Sequence, residues 1–209
     1  MSRSSKPGLL RSADHPGVAP LVAGDDVSWM PRAMVGDDQG NSGACALFSM
    51  AAWAEIVHGV PISSFDVLAA YRRALASLGR AFGEGLYFSE ALKAAQTEGW
   101  IRSTGTLRAE RGLDRLKEQP LLCGYIVTDA FYRADPKSGC LDHDESIKTE
   151  LGYHAVCVVG KGRLDSLPDR SWVYFENSWG WQWGWNGIGV VGVEMHNRLC
   201  REVWSVEGG

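Results

Sequence analysis

The alternation of hydrophobic and polar residues divides the chain into a helical part and a part built of strands. Between residues 43 and 117 the apolar residues recur at intervals of three and four, the spacing of helices with a buried face. From Gln119 onwards they form short runs rich in β-branched residues, which are typical of buried strands. Helices that precede the strands, instead of alternating with them, predict an α+β fold.

Each of the three longer predicted helices ends at a glycine, which can adopt the left-handed conformation that closes a helix. The three helices run from about Cys45 to Gly59, from Phe65 to Leu78 before Gly79, and from Ser89 to Glu98 before Gly99. A shorter helical segment is predicted between Arg111 and Glu118. The strands are predicted at Leu121 to Val127, Tyr153 to Val159, Trp172 to Glu176, Gly187 to Val193 and Glu202 to Val206. Gly160-Lys161-Gly162 is expected to end the second strand.

The helix that begins at Cys45 is predicted to be central, because it is apolar nearly all round. Its hydrophobic residues at helical spacing are Leu47, Met50, Trp53, Ala54 and Val57. The preceding segment 40–43 offers turn residues and capping side chains, so Cys45 should lie in the first helical turn. There, free N–H groups and the helix dipole stabilise a thiolate. Cys45 is therefore a candidate nucleophile, and a buried structural cysteine is the alternative.

Two polar residues at the ends of predicted strands could complete a nucleophile and base pair. His154 begins a strand and is placed to point a ring nitrogen into a cleft. Asn177 ends another strand, and its amide can hold an imidazole in one tautomer and orientation. Taken singly, His154 could be an ordinary core or surface histidine, and Asn177 could merely start a turn.

Together the three segments resemble the papain-like cysteine peptidases. The family's nucleophile motif is matched by Gln39, Gly40, Gly43, Cys45, Phe48 and Ser49. Its histidine motif is matched by His154-Ala155-Val156 and Val159-Gly160, and its asparagine motif by Asn177-Ser178-Trp179-Gly180, Trp183-Gly184 and Asn186-Gly187. Weaker similarity at residues 85–99 and 27–29 extends the resemblance from about Val27 to the C-terminus.

The resemblance implies a two-lobed fold with the active site in the cleft between a helical half, about 43–117, and an antiparallel β half, about 119–209. It implies that Cys45 is the nucleophile, His154 the general base and acid, and Asn177 the residue that orients His154. Gln39 and the Cys45 backbone N–H would form the oxyanion hole, because both offer donors to a developing negative charge. Such a thiolate and imidazolium pair needs no metal or other cofactor.

The resemblance also implies a substrate groove. Gly83, Glu84 and Gly85 correspond to its glycine-rich wall, and Tyr153 and Trp179 flank the histidine and asparagine. A carboxylate at Glu84 could favour basic side chains or free amines, and an exposed loop glutamate is the alternative. Trp179 could shield the asparagine from water or simply pack in the core. The neighbouring Trp181 and Trp185 could line a substrate subsite.

The chain departs from the family pattern near the nucleophile. Ser42 stands where secreted relatives have a disulfide cysteine, and no cysteine occurs between Cys45 and Cys123 to serve as its partner. Ala46 replaces the tryptophan that usually follows the nucleophile. His154 follows Cys45 by 109 residues, fewer than the roughly 130–150 of papain-type spacing. These differences predict a cleft floor that is smaller or differently packed and the absence of the hallmark disulfide. They also predict trimmed loops between the two halves and a longer loop after His154.

Composition is consistent with a compact enzyme that works in a reducing compartment. The 209 residues are enough for a substantial core, and a net charge of −4 without a basic run argues against nucleic acid or an anionic membrane as a partner. The five cysteines are an odd number. Cys123 and Cys157 lie in apolar runs and Cys140 and Cys200 in more polar ones, so reduced thiols are expected, with a Cys123–Cys157 bridge as the alternative.

The N-terminal residues 1–26 are predicted to form a flexible arm ahead of a catalytic domain over residues 27–209. The arm contains Pro, Gly and Ser, lacks the apolar core of a signal peptide, and is shorter than the inhibitory prosegment of secreted relatives. These features predict an enzyme that is cytoplasmic or exported without a Sec-type signal. They also suit a bacterial member of the family that is made in active form, is restrained by a separate inhibitor or immunity protein, or is cut from a longer precursor.

The functional expectation is therefore a peptidase that hydrolyses peptide bonds in a peptide or protein substrate. It could be a dedicated processing enzyme, or an effector or toxin directed at one protein. Two alternatives keep the same fold, namely an acyl or peptidyl transferase that hands the thioester to an amine, and a catalytically silent peptide-binding module.

Overall fold

The computed structural model describes residues 27–29, 37–141, 150–164 and 167–209. Its α-helices are α1 (Cys45–His58), α2 (Ser64–Leu78), α3 (Phe88–Thr97), α4 (Asp129–Tyr132) and α5 (Val193–Leu199). Its strands are β1 (Val27–Ser28), β2 (Thr106–Glu110), β3 (Leu121–Val127), β4 (Gly152–Leu164), β5 (Leu167–Glu176), β6 (Ile188–Gly192) and β7 (Cys200–Glu207). A 3-10 helix covers Asp114–Lys117. The predicted arm at residues 1–26 lies outside the described residues.

Helix α1 is the central element of the helical part, as its sequence predicts. Every residue from Cys45 to Ile56 is buried, and the helix closes at Gly59 in the left-handed conformation. Val57 does not belong to the buried stripe, because the last turn leaves the core and Val57 is 38% exposed. Helices α2 and α3 pack against α1 and against each other. They also end near the predicted glycines, Gly79 and Gly99.

The strands form one sheet in the order β2-β7-β3-β4-β5-β6, with β1 paired to the far end of β4. All of these pairs are antiparallel. The prediction that β4 ends at Gly160-Lys161-Gly162 is wrong, since the strand continues to Leu164. Gly160 is needed there because β1 crosses closely, and a Cβ at this position would lie 2.9 Å from the Val27 carbonyl oxygen. Gly160 therefore permits close strand packing without ending the strand.

Three elements were not predicted from the sequence. Strand β2 falls in the part expected to be helical, yet it pairs with β7 at the edge of the sheet. Helix α4 follows β3 directly, and α5 occupies the connection between β6 and β7. The predicted strand ending at Val193 therefore stops one residue earlier, at Gly192, because α5 begins at Val193.

The sheet lies between two large hydrophobic cores, and this arrangement keeps the thiols of Cys123 and Cys157 apart. One core packs α1 to α3 against one sheet face and includes Cys157, while the core on the other face includes Cys123. Cys157 pairs with Leu122 and not with Cys123, so the two thiols point to opposite faces and the alternative of a bridge between them is wrong. All five cysteines are free. Cys140 and Cys200 are buried, against the expectation of polar surroundings.

Helix α1 packs against β4 and β3, the two strands at the middle of the sheet. None of the described helices is long and apolar enough to cross a lipid bilayer.

Candidate active site

Cys45 is the first residue of α1, as predicted, and its side chain is buried. The expected side-chain cap is not formed, because Ala44 occupies the N-cap position. The polar residues of the turn bond within the turn instead, with the Ser42 hydroxyl donating to the Gln39 carbonyl at 2.6 Å. The uncapped first turn of a helix of 14 residues leaves the positive end of the helix dipole next to the thiol. This environment favours a thiolate.

His154 and Asn177 are joined by a short hydrogen bond. The distance from His154 Nε2 to Asn177 Oδ1 is 2.6 Å, and both side chains are buried. Asn177 Oδ1 also accepts the Ser178 backbone N–H at 2.9 Å, which fixes the amide orientation. Because an amide oxygen only accepts hydrogen bonds, the neutral imidazole carries its proton on Nε2, and Nδ1 is its basic nitrogen.

Aromatic rings enclose this pair. The Trp179 ring lies 4.9 Å from the His154 ring, centroid to centroid, and the Phe131 ring lies 6.5 Å from it. Trp179 is 7% exposed and stacks on Tyr132. Such packing excludes water from the bond between His154 and Asn177, and a hydrogen bond in a region of low dielectric constant is stronger than one in water.

Gln39 connects the segment before Cys45 to the segment after Asn177. Its Oε1 accepts the Ser178 hydroxyl at 2.6 Å, and its backbone N–H donates to the Ser178 carbonyl at 2.8 Å. Its Nε2 donates to the Ser42 carbonyl at 2.7 Å. The loop that leads into α1 and the end of β5 are therefore fixed to each other. The structure brings Gln39, Asn177 and His154 into one hydrogen-bonded group at the start of the helix that carries Cys45.

The predicted groove residues are divided between two places. The loop of Gly83, Glu84 and Gly85 contacts the turn before Cys45, so closely that a Cβ on Gly43 would lie 2.6 Å from the Gly83 carbonyl oxygen. Glu84 is exposed, and its carboxylate accepts the Ala81 backbone N–H at 2.8 Å, closing its own turn.

The aromatic residues predicted for the groove belong to the two segments of the sequence that carry the histidine and the asparagine. Tyr153 precedes His154 in β4, so it points to the other face of the strand, where it is 40% exposed. Trp179 is packed on His154, whereas Trp181 and Trp185 are 64% and 46% exposed.

A cluster of carboxyl groups next to the site was missed by sequence reasoning. Burial raises the pKa of Glu55 to about 7, with the hydrogen bond from the Ile62 N–H opposing the shift and the Asp37 charge adding to it. Burial also raises the pKa of Glu176 well above its usual range, and Asp37 and Glu55 add to this shift. Neither Glu176 carboxyl oxygen finds a hydrogen-bond partner among the described residues. The available signal was a glutamate inside an otherwise apolar run, in α1 and at the end of β5.

The raised pKa of Glu55 makes stability depend on pH. The unfolded side chain ionises near 4.5 and the folded one near 7, so stability is highest below the first value and falls as pH rises towards the second. Allowing for partial hydration of the group, we expect the wild type to lose about 1–2 kcal/mol from this residue between pH 5 and 8. Urea unfolding at both pH values should show a smaller loss for Glu55→Gln. Equal losses in the two proteins would contradict the assignment.

Comparison with known proteins identifies the family. The family model described as papain family cysteine protease matches residues 91–201, more than half of the chain, a range that includes His154 and Asn177. An uncharacterized peptidase-like protein of Acanthamoeba polyphaga mimivirus is 36% identical over 91 residues, which are 42% of this chain and 28% of the viral protein's length. The chain thus spans less than a third of that relative.

Solved structures show the same fold. Xylellain, a cysteine protease from Xylella fastidiosa, superposes with a TM-score of 0.70 at 17% identity, covering 100% of this chain and 99% of xylellain. Bromelain from Ananas comosus gives a TM-score of 0.62 at 15% identity, covering 88% and 99%. The predicted α+β, papain-like architecture is confirmed by these likenesses. By the match of its family model, the chain belongs to the papain family of cysteine proteases.

Proposed function

We propose that this cysteine protease hydrolyses peptide bonds through a thioester formed on Cys45. The observation that carries the proposal is the buried 2.6 Å hydrogen bond between His154 Nε2 and Asn177 Oδ1. The Gln39 and Ser178 contacts fix this pair to the loop before Cys45. A nucleophile, a base with a defined basic nitrogen, and a residue that orients the base are the components of covalent acyl transfer.

In the proposed reaction the Cys45 thiolate attacks the carbonyl carbon of the scissile bond. The carbonyl oxygen becomes an oxyanion, which the Cys45 backbone N–H and Gln39 Nε2 stabilise. His154 protonates the leaving amine as the C–N bond breaks, and a thioester remains. His154 then removes a proton from water, and the water oxygen attacks the thioester. The C–S bond breaks to give a carboxylic acid and the free thiolate.

The bonds of Gln39 support its role as a donor to the oxyanion. One Nε2 hydrogen is directed to the Ser42 carbonyl and Oε1 is held by Ser178, so the amide orientation is set before substrate binds. The second Nε2 hydrogen is the one that we assign to the oxyanion. Because no rearrangement is needed during the reaction, the donor stabilises the transition state more than the ground state.

Gln39→Ala should therefore lower kcat by about 10²- to 10³-fold, the usual effect of removing one oxyanion donor. KM should change little, because the donor acts on charge that develops in the transition state. Steady-state kinetics normalised to titrated active sites measures both values. Ser178→Ala, which removes only the bond to Gln39 Oε1, should give a smaller loss. An unchanged kcat for Gln39→Ala would mean that another group donates to the oxyanion.

We propose that the backbone of Gly83 and Gly85 contacts the substrate chain and that Trp179 borders the groove near His154. Tyr153 points to the other face of β4 from His154, so we do not assign it to the groove. The Glu84 carboxylate already closes its own turn, which favours a role in loop structure over one in substrate choice. The exposed rings of Trp181 and Trp185 offer surfaces for apolar substrate side chains. We further propose that the enzyme is dedicated to one target, either as a processing enzyme with one substrate or as an effector that attacks one protein.

A peptide library analysed by mass spectrometry tests the proposal. The wild type should produce fragments with new carboxyl termini, and reaction in ¹⁸O-labelled water should place the label in those termini. Cys45→Ala should produce none of them. Ligated peptides without the label would instead show an acyl transferase, and retention of uncut peptides by both proteins would show a peptide-binding module.

A further inference from the structure

The hydroxyl group of Tyr71 joins two loops at the candidate active site. Tyr71 is completely buried in α2, where it belongs to the stripe of Val67, Ala70 and Leu75 that faces the core. Its hydroxyl accepts the backbone N–H of Gly43 at 3.2 Å and that of Gly83 at 3.1 Å. It donates to the Glu84 carbonyl at 2.6 Å. One hydroxyl therefore makes three hydrogen bonds to the backbone of two loops.

The two loops touch at this point. A Cβ added to Gly43 would lie 2.6 Å from the Gly83 carbonyl oxygen and 2.8 Å from the Glu84 carbonyl oxygen. Such distances are shorter than any tolerated contact, so a side chain at position 43 would force the loops apart. Gly43 lies two residues before Cys45, and Gly83 to Gly85 form the proposed groove wall. The position of this wall relative to the nucleophile is thus set by the contact between Gly43 and residues 83–84, to which the Tyr71 hydroxyl is bonded.

We infer that Tyr71 is a positioning residue, whose hydroxyl holds the groove wall at Gly83 and Glu84 against the loop before Cys45. The inference rests on the proposed function, because it takes Cys45 as the nucleophile and residues 83–85 as the wall. Position 42 carries a serine instead of a bridging cysteine, and no cysteine occurs between Cys45 and Cys123. In this chain, the hydrogen bonds of the buried Tyr71 hydroxyl hold the loop before Cys45 and the groove wall together.

The protonation state of Tyr71 is consistent with this role. Burial raises the pKa of its hydroxyl, the bonds from Gly83 and Gly43 oppose the shift, and negative charge at Cys45 and Glu84 adds to it. The hydroxyl therefore keeps its proton throughout the neutral range and can donate to the Glu84 carbonyl. The packing of the Tyr71 ring on Phe82, with centroids 5.6 Å apart, is independent of the hydroxyl and would survive its removal.

Tyr71→Phe separates positioning from general stability. Three backbone groups lose their partner, so the wall should shift, and binding of a peptide that uses the wall should weaken. We expect KM for a peptide of six or more residues to rise about tenfold, with kcat normalised to titrated active sites measured alongside. Alkylation of Cys45 by iodoacetamide, which does not use the groove, should stay within about twofold of wild type. Tyr174→Phe, which removes a hydroxyl bonded to the distant Arg163 carbonyl, is the matched control and should change neither value.

Gly43→Ala is a second variant, which disturbs the contact between the two loops while the Tyr71 side chain itself is unchanged. It should raise KM in the same way. If either variant lowers only the titrated active fraction and leaves KM unchanged, the positioning role is wrong and Tyr71 merely stabilises the fold. Failure of the proposed function gives a different result. In that case iodoacetamide would not label Cys45 preferentially in the wild type, whatever the behaviour of the two variants.

Discussion

Replacing Cys45 by alanine should reduce peptide hydrolysis by about 10⁴-fold or more, to the level left by substrate binding and the oxyanion donors alone. The methyl group of alanine has no electron pair with which to attack the carbonyl carbon, so no thioester can form. The side chain is small and the position is buried at the start of α1, so the fold should be preserved. Progress curves with a peptide found in the library experiment, compared at equal concentrations of folded protein, measure the loss.

The matched control is Cys140→Ala, because Cys140 is also a free, buried thiol but lies on the β side of the molecule against Val190. It should retain wild-type turnover. The thiols of Cys123 and Cys157 should also be unreactive, because burial raises the pKa of both well above the usual value. A Cys45→Ala protein that keeps its turnover, or that loses no more than Cys140→Ala, would remove Cys45 from the mechanism.

The sequence predicted those elements whose own residues carry the full hydrophobic pattern of a helix or a buried strand. Helix α1 and its end at Gly59 follow from composition and a glycine C-cap, and β3 follows from an unbroken apolar run that is buried along its whole length. Strand β2 escaped prediction because it lies at the sheet edge, where it is half exposed and its sequence is mixed. The course of β4 through Gly160 depends on β1, more than 130 residues earlier in the chain. Such distant contacts leave no local pattern.

The same distinction holds for the site. Cys45, His154 and Asn177 were predicted as site residues because the three segments that carry them together resemble the motifs of one enzyme family. Each also falls at the end of a predicted element. The carboxyl cluster of Glu55, Glu176 and Asp37 joins three segments far apart in sequence, so no spacing could indicate it. The sequence pattern likewise shows Tyr71 only as one of the apolar residues on the buried face of α2. Only the position of its hydroxyl under the loops at Gly43 and Gly83 distinguishes it.

His154 and Asn177 should behave as one unit in a double-mutant cycle. His154→Ala removes the base and acid and should lower kcat by about 10⁴-fold or more. Asn177→Ala leaves the imidazole in place but releases Nε2 from the 2.6 Å bond, so the ring can turn and change tautomer. Its effect should be smaller than that of His154→Ala. Asn177 does not exchange a proton at working pH, so it contributes only through the orientation of the ring.

The double variant should then be scarcely slower than His154→Ala alone, because without an imidazole there is nothing for Asn177 to orient. Melting temperatures of all four proteins serve as the control, since Asn177 Oδ1 also accepts the Ser178 N–H and its loss could loosen the loop next to Gln39. Asn177→Asp tests the hydrogen bond itself, because it keeps an oxygen acceptor for Nε2 and should recover part of the rate. Additive losses in the cycle would mean that Asn177 acts through the Ser178 and Gln39 contacts, independently of His154.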